Sequence, residues 1–331
     1  MKVLFVGGTG KISSACSRLA IEQGINLTLL NRGQNQLRTA PAGAQTIQAD
    51  IRDLASTQSA LAGQKFDVVV DFIAFTPDQI EADLALLRGK VGQYIFISSA
   101  SAYQKPVASL PITESSPLSN PYWLYSRNKI ACEDRLVRAY REEGFPITIV
   151  RPSHTYDKTG FPMQGGWTII DRMRRGLKTI VHGDGTTLWV LTHTEDFAQA
   201  FNGLLGNPHA LGNSYHITSD EVLTWDQIHN QFAGLLGVEP RLAHCSSEFI
   251  NAYDSNWGAT LLGDKTHTVI FDNTKIKQAV PGWAARIPFS RGAEEMLNWF
   301  LADPARQKVD PALNELIDRM LAGYESGLPH P

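Results

Sequence analysis

Cysteine is scarce in this chain of 331 residues: Cys16, Cys132 and Cys245 are far apart and form no CxxC. That excludes a disulfide framework and fits a reducing compartment. Long apolar runs are missing too, so no membrane is expected as a partner. The N-terminal apolar run is broken by glycines after Val6, which argues against a signal peptide and makes a cytoplasmic setting the expectation. No charge of one sign dominates. The formal net charge is −3 and the basic residues are scattered without a stripe, so no nucleic acid is expected as a partner. The nine histidines fall in no HExxH or other metal spacing, and no metal is expected. A GxSxG elbow is absent, which removes the usual hydrolase arrangement.

What is present starts at Val3-Leu4-Phe5-Val6, an apolar run that reads as a buried strand. Gly7-Gly8-Thr9-Gly10 follows at once, and then Ile12, Ala15, Leu19 and Ala20 recur on one helical face. A buried strand, a glycine turn and a helix N-terminus make a phosphate site, because the backbone can approach a pyrophosphate and the first free N–H groups point at it. Glycine spacing alone is weak; its place between a strand and an amphipathic helix makes it specific.

The pattern then repeats. Ile25–Leu30 reads as a strand closing on Asn31-Arg32-Gly33, and Ala44–Ala49 as another ending at Asp50-Ile51. Asp53 is placed to cap a short helix to Leu61. Phe66–Phe72 and Tyr94–Ile97 read as buried strands, with a helix from Pro77 to about Arg88 between them. A loop runs from Tyr103 to Pro121, a long helix from about Tyr122 to Glu143 stops at Gly144, and Ile147–Val150 reads as a strand closed by Arg151-Pro152. Apolar strands alternating with helices predict an α/β protein: a Rossmann-type doubly wound parallel sheet over 1–153. Beyond it the rhythm loosens into helical patterns joined by longer loops. We read 154–331 as a smaller mixed α/β substrate-binding cap, with Ser214-Tyr215-His216-Ile217 able to return to the sheet near 213–218.

Ligands of a parallel sheet sit outside the carboxyl ends of its strands. The polar strand-end residues are therefore the candidates, together with Tyr125 and Lys129, which share a helix face at i and i+4. A free tyrosine titrates near ~10, so it is a poor base at neutral pH. A nearby ammonium and the positive ring of an oxidised nicotinamide favour the phenolate, and a drop of ~3 units needs only ~4 kcal/mol. Such a tyrosine takes a proton from an alcohol as hydride leaves its carbon. Alone, the pair would read as a half-buried tyrosine beside a solvated lysine; the glycine turn and Ser99 at a strand end favour catalysis.

Gly7-x-x-Gly10-x-x-Ser13, Asp50-Ile51, Ser99 and Tyr125-x-x-x-Lys129, in this order, resemble the extended short-chain dehydrogenase/reductase family, in its NAD(P)-dependent epimerase/dehydratase group. The resemblance implies an oxidoreductase that moves hydride between a nicotinamide cofactor and an alcohol or ketone. It makes Ser99, Tyr125 and Lys129 the catalytic trio, with Lys129 also on the nicotinamide ribose. Gly7, Gly10, Lys11 and Ile12 would hold the pyrophosphate, Asp50 and Ile51 would flank the adenine, and Phe72, Ile73 and Ala74 would line the middle of the cofactor. Asn31, Ser98, Pro152 and Ser153 complete the expected cofactor contacts, and Ser101, Tyr122, His154 and Trp189 the expected substrate contacts.

Four departures refine this. Ser13 stands where the family usually has a third glycine, with a hydroxyl able to reach a phosphate. Asn31-Arg32 replaces the acid that grips the ribose in NAD enzymes, so NADP is expected, with NAD as the alternative. Ala100-Ser101 lacks the acid pair of the 4,6-dehydratases. Trp189 falls where sugar-nucleotide enzymes often carry an arginine, which suggests an uncharged hydroxylated substrate such as a sugar. The rivals are a sugar-nucleotide epimerase that retains its cofactor and a non-catalytic RNA-associated scaffold, since Asn31-Arg32-Gly33 resembles the turn of chloroplast RNA-binding relatives. His193 and Asp196 read as loop and cap residues. A homodimer through the helices at 77–88 and 122–143 is expected if Leu86, Leu136 and Ala139 form a second apolar stripe.

Overall fold

A computed structural model describes residues 1–327; the last four residues of the expected cap segment lie outside it. The first six strands are β1 (Lys2–Val6), β2 (Asn26–Asn31), β3 (Gln45–Gln48), β4 (Phe66–Asp71), β5 (Val91–Ile97) and β6 (Ile147–Pro152). With the strand Ser214–Ile217 they form one seven-stranded sheet. From one edge the order is β3, β2, β1, β4, β5, β6 and Ser214–Ile217, and every pairing is parallel. The order reverses between β1 and β4, so the carboxyl ends of these two strands bound the crevice where this architecture takes its ligand.

Alternation along the strands builds both faces. Val3 and Phe5 of β1 join one apolar core with Leu27, Leu29, Val68 and Val70, while Leu4 and Val6 join the other with Leu30, Val69 and Phe96. Helix α1 (Lys11–Glu22) and the helix Thr194–Gly203 pack together over the first face. Helices α2 (Leu54–Ala60), α3 (Pro77–Leu87) and α4 (Leu124–Glu143) cover the second. Asp53 caps α2 by accepting from the Ser56 N–H, and Gly144 ends α4 in the left-handed region at φ +66°. Phe197, Phe201, Ile276 and Trp283 lie in the first sheet core, so the chain re-enters the sheet layer after residue 193. The remaining helices and short strands surround a separate core that includes Trp167, Trp225, Phe289 and Ile317.

Two expectations are corrected here. The long helix begins at Leu124, not at Tyr122. The Asn120 carboxamide oxygen accepts from the Tyr122 and Trp123 N–H groups at 3.2 and 3.1 Å, which holds both residues in a turn. The second apolar stripe is also missing. Leu86, Leu136 and Ala139 are all buried against their own sheet. The outward side of α3 and α4 carries Glu81, Arg88, Asp134 and Arg138, and Arg135 there bridges Glu81 and Glu143.

Candidate active site

Two cavities flank the glycine turn at the carboxyl ends of the strands. The smaller, about 250 Å³, is lined by Gly7 and Gly10 of the turn, Asn31 and Arg32 after β2, Asp50 and Ile51 after β3, and Ile73 after β4. Gly7 has φ +82°, and a Cβ there would lie 2.6 Å from Cγ2 of Ile73, so both backbone shape and space demand glycine. The Ser13 hydroxyl does not face a phosphate, contrary to expectation. It donates to the Gly7 carbonyl at 2.6 Å and accepts from the Gly10 N–H at 2.7 Å, because it is buried inside the turn it staples. Asp50 accepts from the Arg52 N–H at 3.0 Å.

The loop after β2 folds back over the turn. Asn35 donates to the Thr9 carbonyl at 2.6 Å, and Arg38 pairs with Asp157 at 2.7 Å. Arg38 is thus committed. The exposed Arg32 guanidinium makes no hydrogen bond or ion pair among the described residues, and no carboxylate stands at the end of β2.

The larger cavity, about 520 Å³, opens on the other side of the turn. Lys11, Ile12 and Phe72 line its near end, and Ser98, Ser99, Pro152 and Ser153 its floor, with Tyr125 and Lys129 projecting from α4. Ala74 lines neither cavity; its contribution is a carbonyl oxygen that accepts from Lys129 Nζ at 2.6 Å. The Ile97 carbonyl accepts from the same Nζ at 2.7 Å, and the Phe75 ring lies 4.6 Å from it. The Lys129 side chain is buried, and burial pulls its pKa down to about 8. The Ser98 hydroxyl turns away to donate to Glu133, which is locked in a buried pair with Arg151. Ser98 can therefore offer a cofactor only its backbone.

Burial also dominates at Tyr125, whose pKa is pushed above its ordinary value. The Ser99 hydroxyl, within reach of the phenol, pulls it down, and the charge of Asp264 pushes it up. The ammonium of Lys129 lies 5.8 Å from the tyrosine ring centroid and spends its hydrogen bonds on carbonyls. The expected drive toward phenolate thus does not come from Lys129 alone, and the phenol keeps its proton. Ser99 shares a hydrogen bond with Ser101 at 2.9 Å, and Ser126 donates to Ser101 at 2.8 Å, which holds the Ser99 hydroxyl in place.

The far end of the cavity is aromatic. The buried Trp189 donates through Nε1 to His154 Nδ1 at 3.1 Å. Burial, with Lys265 and Lys11 adding to it, holds the His154 pKa well below the ordinary histidine range, so the ring is neutral. Tyr122, expected at the substrate, does not line the cavity: it is exposed and its ring faces that of His267. The turn held by Asn120 sends Trp123 inward instead, its ring 4.8 Å from that of Tyr125. Sequence reasoning also missed Phe161, Gln164, Asp264, Lys265 and Phe271, which reach the cavity from distant segments. Away from it, His193 caps the helix Thr194–Gly203, and Asp196 accepts from the Arg286 and Ile287 N–H groups.

The strand order, the glycine turn at the switch point and the two cavities together define a dinucleotide-binding α/β protein of the extended short-chain dehydrogenase/reductase type. The NAD dependent epimerase/dehydratase family matches residues 3–218, and the chain belongs to that family. It is 27% identical to the chloroplast stem-loop binding protein of 41 kDa b of Arabidopsis thaliana, over 73% of this chain and 65% of that protein. It is 30% identical to the UDP-glucose 4-epimerase of Lactobacillus helveticus, over 46% of this chain and 51% of that enzyme. The chain thus spans between half and two thirds of these relatives. A dTDP-glucose 4,6-dehydratase of Bacillus anthracis, solved with NAD, shares the fold at TM-score 0.74 and 17% identity, covering 92% of this chain and 98% of that one. No helix among the described residues is long and apolar enough to cross a membrane.

Proposed function

We propose that this protein is an oxidoreductase that transfers hydride between a nicotinamide dinucleotide and a hydroxylated carbon of a ring-sized substrate. The carrying observation is the Tyr125 phenol within reach of the Ser99 hydroxyl, one helical turn from a lysine fixed on the Ala74 and Ile97 carbonyls, inside a cavity that reaches Lys11 and Ile12 just after the glycine turn. The cradle fits an extended dinucleotide: one cavity on each side of a turn where Gly7 cannot carry a Cβ. Asn31, Arg32, Asp50 and Ile51 would hold the adenosine end, and Lys11 with the first N–H groups of α1 the pyrophosphate. Lys129, Pro152 and Ser153 would hold the nicotinamide half. The bound nicotinamide supplies a hydride acceptor or donor.

The residues of the chain do the rest. Ser99 and Tyr125 bond the reacting oxygen. Tyr125 delivers its proton to that oxygen as a ketone is reduced, and takes it back as an alcohol is oxidised. Its protonated resting state suits the reductive direction. In the other direction the positive charge of an oxidised ring beside Lys129 favours the phenolate. Trp123 and Trp189 provide flat walls for a sugar-like ring.

Arg32 favours the cofactor with a 2′-phosphate. Titration should show tighter binding of NADPH than NADH, and Arg32→Ala should cost NADPH about ten- to a hundredfold with little effect on NADH. No loss for either cofactor would assign Arg32 to solvent, and equal losses for both would place it on a group that the two share. The epimerase relatives favour a second reading, oxidation and re-reduction of one sugar carbon. Dinucleotide retained through purification would select it. The stem-loop binding relative raises RNA as a partner, but a cavity centred on a tyrosine and a buried lysine suits a small molecule.

A further inference from the structure

We propose that Lys265 anchors an anionic group, carboxylate or phosphoryl, on the substrate. This rests on the reading of the cavity as an oxidoreductase site. Lys265 lines the same cavity as Tyr125, at the end opposite the glycine turn, and its Nζ lies 5.8 Å from the Trp123 ring centroid. It closes a single π-helical turn, Leu261–Lys265, a rare geometry found frequently at functional sites.

The turn is held in place. Asn120 donates to the carbonyls of Gly263 at 2.6 Å and Ser101 at 2.9 Å, tying it to the loop that carries Ser99. At Gly263 a Cβ would lie 2.5 Å from Cβ of Trp123, so the turn is pressed against the base of α4.

The charges around it do not cancel. Asp264, its chain neighbour, pairs with the buried Lys105 at 3.6 Å and also acts on Lys265, so one carboxylate stands against two ammonium groups. The adjacent His154 is neutral. Lys129 is satisfied by two carbonyls, and Lys11 lies at the dinucleotide end. That leaves the Lys265 ammonium with no hydrogen bond or ion pair among the described residues, in surroundings that pull its pKa down by burial. An ammonium that faces a cavity without a hydrogen-bonded partner is placed to take one from a ligand, and an anion fits it best. Trp189 lacks the positive charge that a diphosphate needs; Lys265 supplies one from another segment.

The test loads the full chain with NADP⁺ or NAD⁺ and titrates it with D-glucose, D-glucuronate and glucose 1-phosphate, reading the fluorescence of the cavity tryptophans. At least one anion should bind about ten- to a hundredfold more tightly than glucose, and the two anions distinguish carboxylate from phosphoryl. Lys265→Met should erase that preference and Lys265→Arg should keep it, with dinucleotide affinity and near-ultraviolet dichroism reporting that each variant is folded. Anions no tighter than glucose, or a preference that survives Lys265→Met, overturn the anchor. Failure to bind either dinucleotide overturns the oxidoreductase reading and the anchor with it. Dinucleotide binding without anion preference overturns the anchor alone.

Discussion

Lys129 shows how one buried charge links stability to the site. In the unfolded chain its proton is held to about 10.5, and in the folded protein to about 8. Between those values the unfolded chain binds more protons, so this group makes stability rise with pH across that window. Below pH 8 both states are charged and its burial is a constant cost. Side-chain carbon shifts of the dinucleotide-free protein should show one lysine titrating near pH 8, missing in Lys129→Met. An unshifted titration would mean that the ammonium is hydrated. The Tyr125/Lys129 pair was legible because i, i+4 spacing survives any small error in helix start. Tyr122 was not: two N–H groups donating to the Asn120 side chain move the helix start by two residues and exchange it for Trp123.

At the scale of elements, the turn between β1 and α1 depends on Ser13. Its hydroxyl satisfies two backbone groups, so Ser13→Ala should cost roughly 1–3 kcal/mol in urea unfolding. A change within ~0.5 kcal/mol would show that water replaces both bonds. The π-helical turn makes a second case. Gly263→Ala sets a methyl against Trp123, and overpacking of that kind costs about 1–3 kcal/mol. It should also weaken substrate binding while sparing the dinucleotide, which separate titrations would resolve. The strands and their order were legible from apolar runs alternating with helical periods. The π-helical turn was not, because its place is set by Asn120 and Trp123, more than a hundred residues away in sequence.

Across the whole molecule, the sheet core and the catalytic end are joined by charge as well as packing. Glu133 of α4 accepts from Arg151 of β6 and from Ser98 just after β5, all buried. Glu133→Ala would strand the guanidinium, so a loss of about 3–5 kcal/mol is expected in thermal or urea unfolding. A neutral outcome would mean that water enters beside β6. Leu136→Lys likewise tests the helices rather than a dimer: Leu136 is fully buried, so the variant should unfold and not merely dissociate. Light scattering together with circular dichroism separates the two outcomes.

The account centres on the Tyr125 phenol as the group that moves the substrate proton. Its most direct test is turnover by Tyr125→Phe, on a substrate found by screening alcohols and ketones against both dinucleotides, with dinucleotide affinity measured on the same preparation. The account predicts a loss of about 10²- to 10⁴-fold in kcat with dinucleotide affinity nearly unchanged. Turnover near that of the unmodified protein would contradict it.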